Sequence, residues 1–73
     1  MKGTISKERA ERIARNIDAM DTTYQYIDQM SKYKFWSDLR AKLFGILNNL
    51  NDADKAVIAA ICNADKAAYF NLV

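Results

Sequence analysis

Seventy-three residues of 8.3 kDa, half of them hydrophobic and about a quarter charged, make one helical domain over 1–73 with no room for a second. The chain has no His, no Pro and a single Cys, so the usual general base, most zinc sites and any intrachain disulfide are excluded, and no cofactor or metal is expected. The net charge of +2 is small, but it is laid out in blocks of +3 over 1–15, −3 over 16–31, +3 over 32–47 and −1 over 48–73.

The first helix is predicted to start at Ser6, whose hydroxyl can accept from the free amides of Glu8 or Arg9. Apolar side chains then recur at Ala10, Ile13, Ile17, Met20, Tyr24, Ile27 and Met30, in steps of three and four that put them on one face. The stripe keeps its phase through Asp21, Thr22 and Thr23, so one helix over 6–30 is expected, with 21–23 as the place to break. Met30 and Phe35 are spaced as a hydrophobic staple around Ser31, which places a turn near 31–34.

A second helix is predicted over 34–49, with Trp36, Leu39, Leu43, Ile46 and Leu50 as its stripe and Phe35, Phe44 and Leu47 widening it. Being the most apolar, it is expected at the centre, and Gly45 within it marks a close approach by a neighbour. Asn48, Asn49, Asn51 and Asp52 end it, and Asn51 or Asp52 caps a third helix over 52–71. Val57, Ile61, Ala64, Ala68 and Leu72 form its inward stripe, with Ile58, Cys62 and Tyr69 beside it. Ala53-Asp54-Lys55-Ala56 returns as Ala64-Asp65-Lys66-Ala67, three helical turns later, which reads as a repeated surface. The fold expected is all-α, a small antiparallel three-helix bundle.

Function is read from what remains after the core. Five of the eight aromatics fall between Tyr24 and Trp36, more than so small a domain easily hides. Tyr26, Tyr33, Phe35 and Trp36, flanked by Lys32, Lys34 and Arg40, are the expected contact surface for another protein, the rings giving affinity and the cations orientation. A small inhibitor or adaptor of the kind that phages and mobile elements encode fits this description, and a second copy could cover the same apolar surface.

The competing expectation is a nucleic-acid-binding regulator. Arg9, Arg12 and Arg15 advance by three along the first helix and Lys42 extends the basic segment 32–42, where aromatics alternate with cations. An ordinary solvated face gives the same pattern, with Glu8 and Glu11 pairing to Arg12 and Arg15. A helix-turn-helix on Ala41, Gly45 and 48–52 fails, because the would-be recognition helix offers Ala, Val and Ile. Leu47-Asn48-Asn49-Leu50-Asn51-Asp52-Ala53-Asp54, followed by Ile61-Cys62, resembles the turn and second-helix start of the Rop family of plasmid-borne helical hairpins, which dimerise and bind paired RNA loops. The resemblance implies RNA as partner and puts Phe35 near that family's RNA-facing aromatic; it departs in an extra turn residue, in the long helix that precedes and in the polar contact positions.

Asp52 and Asp54 are explained by the start of the third helix, and a calcium loop there lacks its Gly and further oxygen ligands. Cys62 on an apolar face reads as a small buried hydrophobe. Catalysis has no visible residue set. The longest apolar run, Ala56 to Cys62, is too short to span a bilayer, and Lys7 and Glu8 interrupt any export signal, so a cytoplasmic protein that does not use a membrane is expected.

Overall fold

The computed structural model describes residues 4–72. These residues form an all-α bundle of four helices and one 3₁₀ turn: α1 (Lys7–Ala19), the turn Tyr24–Tyr26, α2 (Met30–Asn48), α3 (Asp52–Ile61) and α4 (Ala64–Tyr69). None of these helices is long and apolar enough to cross a membrane.

Ser6 caps α1 as its sequence requires, its hydroxyl accepting from the Arg9 amide at 3.2 Å. Ala10, Ile13, Ala14 and Ile17 are buried along one face. The helix does not continue to residue 30. Met20 turns to an extended conformation, and the Asp21 carboxylate accepts from both the amide (2.8 Å) and the hydroxyl (2.6 Å) of Thr23. This Asx turn offers the backbone a better partner than the next helical carbonyl, which is why Asp and Thr end helices where Leu or Ala would extend them. The inward phase survives the break as far as Tyr24, which is buried from the 3₁₀ turn, whereas Met30 at the end of the stripe is 76% exposed.

Because the chain reverses over 20–29, the turn expected at 31–34 is not needed. Residues 27–29 are extended into the start of α2, which begins at Met30 and runs straight through Ser31 and Lys34. Its first bond beyond the helix proper, Tyr33 amide to Gln29 carbonyl at 3.0 Å, places the Tyr33 ring 5.4 Å from that of Tyr24. Leu43 and Leu47 are fully buried, while Trp36, Leu39, Phe44, Ile46 and Leu50 pack partly against the core.

The helix expected over 52–71 is two helices. Asn51 caps α3 by accepting from the Asp54 amide, and Asn63 caps α4 by accepting from the Asp65 amide, each at 2.8 Å. The repeated Ala-Asp-Lys-Ala thus marks two helix starts rather than one surface, and the copies differ: Asp54 and Ala67 are buried, Asp65 and Ala56 exposed. In an unbroken helix Ala67 and Phe70 would lie roughly half a turn away from Asp54. The break at Cys62–Asn63 lets all three face the core. On α3, Ile58 and, at its C-cap, Cys62 point inward while Val57 and Ile61 are exposed, and on α4 Ala64 and Ala68 are exposed, so of the expected stripe only Leu72 reaches the core. A Schellman-type end closes α4, with Asn71 in the left-handed region (φ 59°) and the Leu72 amide bonded to the Ala67 carbonyl at 2.9 Å.

The centre is the α1–α3 pair rather than α2. The two run in the same direction and are tied at both ends. At the start, the Asp54 carboxylate, 4% exposed, accepts from the Thr4 amide, the Thr4 hydroxyl (3.2 Å) and the Ile5 amide (3.0 Å). At the other end Asp18 accepts from the Asn63 amide at 2.8 Å and the Lys66 ammonium donates to the Met20 carbonyl. Among the described residues, no buried side-chain nitrogen or oxygen lacks a partner.

A Cβ added to Gly45 would meet nothing within 4 Å, so no neighbour approaches it and its only effect is on helix propensity. Gly45→Ala therefore raises the free energy of unfolding in urea by about 1 kcal/mol; a loss would mean that the glycine has a contact role. The Ile5 amide, with the Thr4 amide and hydroxyl, holds the Asp54 carboxyl below the usual range against the opposing effect of burial. With the folded pKa below the unfolded value of about 3.9, this contribution is complete at neutral pH and disappears as pH falls through the folded pKa. Asp54→Asn is thus less stable than wild type at pH 7, and the difference narrows on acid titration followed by circular dichroism.

Candidate functional site

Beyond the core, the chain builds one end out of the 3₁₀ turn, the extended segment 27–29 and the first two turns of α2. Every residue from Asp28 to Phe35 is exposed there. Tyr26 is 86% exposed and Phe35 59%, and Tyr33 shows one edge while its ring rests on Tyr24. Trp36 is half-buried: it packs against the core on one side and meets Phe35 edge-to-face on the other, 4.9 Å between centroids at 74°.

Between the loop and α2 lies an open groove of about 680 Å³. Ile27, Phe35 and Trp36 supply its apolar lining, and Asp21, Asp28 and Lys32 are among its polar residues. Its volume falls within the range of sites that take a small ligand or a few side chains. Of the expected aromatic residues the groove brings together Phe35 and Trp36, with Ile27, while Tyr33 packs on Tyr24, and Tyr26 and Met30 lie outside the lining. The spacing of Met30 predicts an inward position; the break at Asp21 sends it outward.

The three cations expected around this surface go to different places. Lys32 lines the groove. Lys34 pairs with Asp38 one turn on, at 3.1 Å, both well exposed. Arg40 turns away: its Nε donates to the Tyr69 hydroxyl at 2.8 Å and its guanidinium lies over the Phe44 ring at 4.7 Å. Arg40, Tyr69, Phe44 and Phe70 thus form one cluster that clamps α2 to α4. Tyr24 belongs to it as well: burial pushes its phenol up, the nearby Tyr69 phenol adds to this, and Arg40 offsets part of it.

On α1, Arg9, Arg12 and Arg15 are all exposed. The pairing expected for Arg12 and Arg15 does not form; Glu11 turns to Lys7 at 3.9 Å instead, and among the described residues no carboxylate lies within 4.0 Å of the three guanidiniums. This row and Lys42 on α2 lie outside the groove lining. Cys62 is buried, and burial pushes its thiol up, with Asp18 adding to the effect. Among the described residues, no three His, Cys, Asp or Glu side chains gather where a metal could be held.

Comparison with protein-family models, with curated proteins and with solved structures finds no match for this chain. The turn that resembles the Rop hairpin is present at 49–51, but the helix after it stops at Ile61 and a helix from the other side of the sequence packs on it.

Sequence reasoning missed the clamp of Arg40 and the tether of Asp54. The signal for the second was present: Asn51 already suffices as a cap, so an Asp three residues on is available for another partner. If Arg40 serves the fold, Arg40→Met costs about 1–2 kcal/mol of stability through the lost charged hydrogen bond and ring contacts. Lys34→Met, which breaks only an exposed pair, stays within about 0.5 kcal/mol. Thermal and urea unfolding of the two variants side by side measures the difference.

Proposed function

We propose that this chain is a non-enzymatic binding module that docks onto another, larger protein through the end formed by residues 26–36, acting in the cytoplasm as an inhibitor or adaptor of the phage or mobile-element type. One observation carries the reading: Phe35 stands 59% exposed in a groove whose apolar wall it shares with Trp36 and Ile27, and Tyr26 and Met30, each next in sequence to a lining residue, are exposed as well. Fully burying a large apolar side chain is worth about 1.5–3 kcal/mol, and these residues contribute little of that to their own fold. Aromatic side chains grouped round a concavity are where protein interfaces concentrate their binding energy. The absence of His from the chain and the buried, unactivated Cys62 support a role without catalysis.

A second reading rests on the exposed row Arg9, Arg12 and Arg15, with Lys42 and Lys32 as further cations: a nucleic-acid-binding regulator. Salt separates the two, because phosphate contacts weaken steeply as salt rises and an apolar protein interface does not. The test is affinity capture from the source cell with three baits: wild type, Tyr26→Ser with Phe35→Asp, and Arg9→Gln with Arg12→Gln and Arg15→Gln. The proposal expects one protein retained at physiological salt by wild type and by the arginine variant, and lost with the Tyr26/Phe35 variant. Retention of nucleic acid that only the arginine variant loses would replace it with the regulator. Sedimentation that shows a dimer abolished by Phe35→Asp would assign the surface to a second copy.

A further inference from the structure

The groove differs in charge from the segment that forms most of it. Residues 32–47 carry four cations against Asp38 alone, yet only Lys32 among them lines the groove. Lys34 is engaged by Asp38, and Arg40 is folded onto Tyr69 and Phe44. Lining the same groove as Lys32 are Asp21 and Asp28, brought in by the acidic block 16–31 when the chain reverses. Asp21 keeps its charge, since the hydroxyl and amide of Thr23 hold its carboxyl below the usual range. The groove lining thus has two negative charges against one positive, beside two aromatic rings set nearly at right angles.

Resting on the docking role proposed above, we infer that the groove takes a segment of the partner protein that presents an arginine next to an apolar side chain. A guanidinium combines the two properties that this lining rewards. Its planar face stacks on an aromatic ring, and its edge donates to a carboxylate in a fixed fork. The neighbouring apolar side chain covers Ile27 and the ring surface that the guanidinium leaves open. Lys32 and the positive end of α2 lie on the same rim and oppose a bare cation, so charge alone is not enough: the apolar neighbour and the arginine are needed together. An acidic segment, which the basic composition of 32–42 would have suggested, meets two carboxylates.

Trp36 is the chain's one tryptophan, so its emission reports on the groove directly. The probes are the capped dipeptides Leu-Arg, Leu-Gln and Leu-Glu, titrated at low salt against the intact protein. The expected order is Leu-Arg, then Leu-Gln, then Leu-Glu, with dissociation constants in the millimolar range and about a five-fold step between the first two, the size of one partly exposed charge-assisted contact. Asp28 is exposed, so Asp28→Asn is expected to leave the structure intact, with circular dichroism as the check; it is expected to abolish the preference for Leu-Arg and to leave Leu-Gln binding unchanged. Asp21→Asn retains the Asx turn and is expected to weaken Leu-Arg in the same way. Lys32→Gln is expected to strengthen it.

Leu-Glu binding as tightly as Leu-Arg, or an arginine preference that survives Asp21→Asn combined with Asp28→Asn, overturns the inference. If all three dipeptides bind equally and Phe35→Ala removes them, the docking surface stands and the arginine preference falls. If none alters Trp36 emission while circular dichroism shows the fold intact, the inference and the docking role both fall.

Discussion

The closure of the Asp21 carboxylate on Thr23 determines the rest of the architecture. It ends α1 at Ala19, and everything from residue 20 to 36 follows from where the chain goes next. An unbroken helix to residue 30 would have kept Tyr24, Ile27 and Met30 on one inward stripe and pushed the reversal to 31–34. With the helix stopped, a 3₁₀ turn buries Tyr24, three extended residues cross to α2, and α2 gains a full turn at its start that reaches past the core. Those extra residues, Met30 to Phe35, are the ones left in water. Two side-chain hydrogen bonds at an exposed turn therefore create the groove, because they move the point of reversal by about ten residues.

The body behind this end is held differently. α1 and α3 lie side by side and are fastened at both ends by polar contacts rather than by packing alone: Asp54 to residues 4 and 5, and Asp18 and Lys66 across the junction of α3 and α4. Each contact satisfies a backbone group that a helix end or a turn leaves open. The break at Asn63 serves the same end. It frees an amide for Asp18 and re-aims Ala67, Phe70 and Leu72 at a core that a straight helix could not reach. The Arg40 cluster then joins α2 to α4, so a cation that belongs to the basic segment in sequence belongs to the scaffold in space.

Separating a polar-fastened body from an aromatic end has a functional consequence. The residues that hold the fold and those that offer a surface are nearly disjoint sets, with Trp36 and Tyr33 as the bridge, since each has one side on the core and one toward solvent. A surface of this kind can be altered at Tyr26, Met30 or Phe35 with little effect on the body. It also puts charge from the acidic block 16–31 beside Lys32 of the basic block 32–47, so the charge of the groove differs from that of the segment that forms most of it. Basic residues dominate 32–42 as a string of letters, but Asp38 engages Lys34 and Tyr69 withdraws Arg40, two of the four.

Local chemistry in the sequence was sufficient for the class of fold and for its punctuation. The helical composition, the Ser6 and Asn51 caps, the inward face Ala10–Ile13–Ile17–Met20, the place where the first helix would give way and the crowding of rings between 24 and 36 all depend on neighbours within a few residues, and all are found where they were expected. Tertiary contacts decided what local preference leaves nearly balanced. At 62–63 helix and turn differ by about one hydrogen bond, and the partner that tips the balance, Asp18, comes from elsewhere in the fold; at 21–23 the local Asp21–Thr23 closure ends the helix and the packing of Tyr24 on Tyr33 sets where the chain goes next. The facing of α3, the placement of Arg40 and the meeting of Asp21 and Asp28 with Trp36 follow from those two breaks, because a helix that stops early hands every later side chain a new direction.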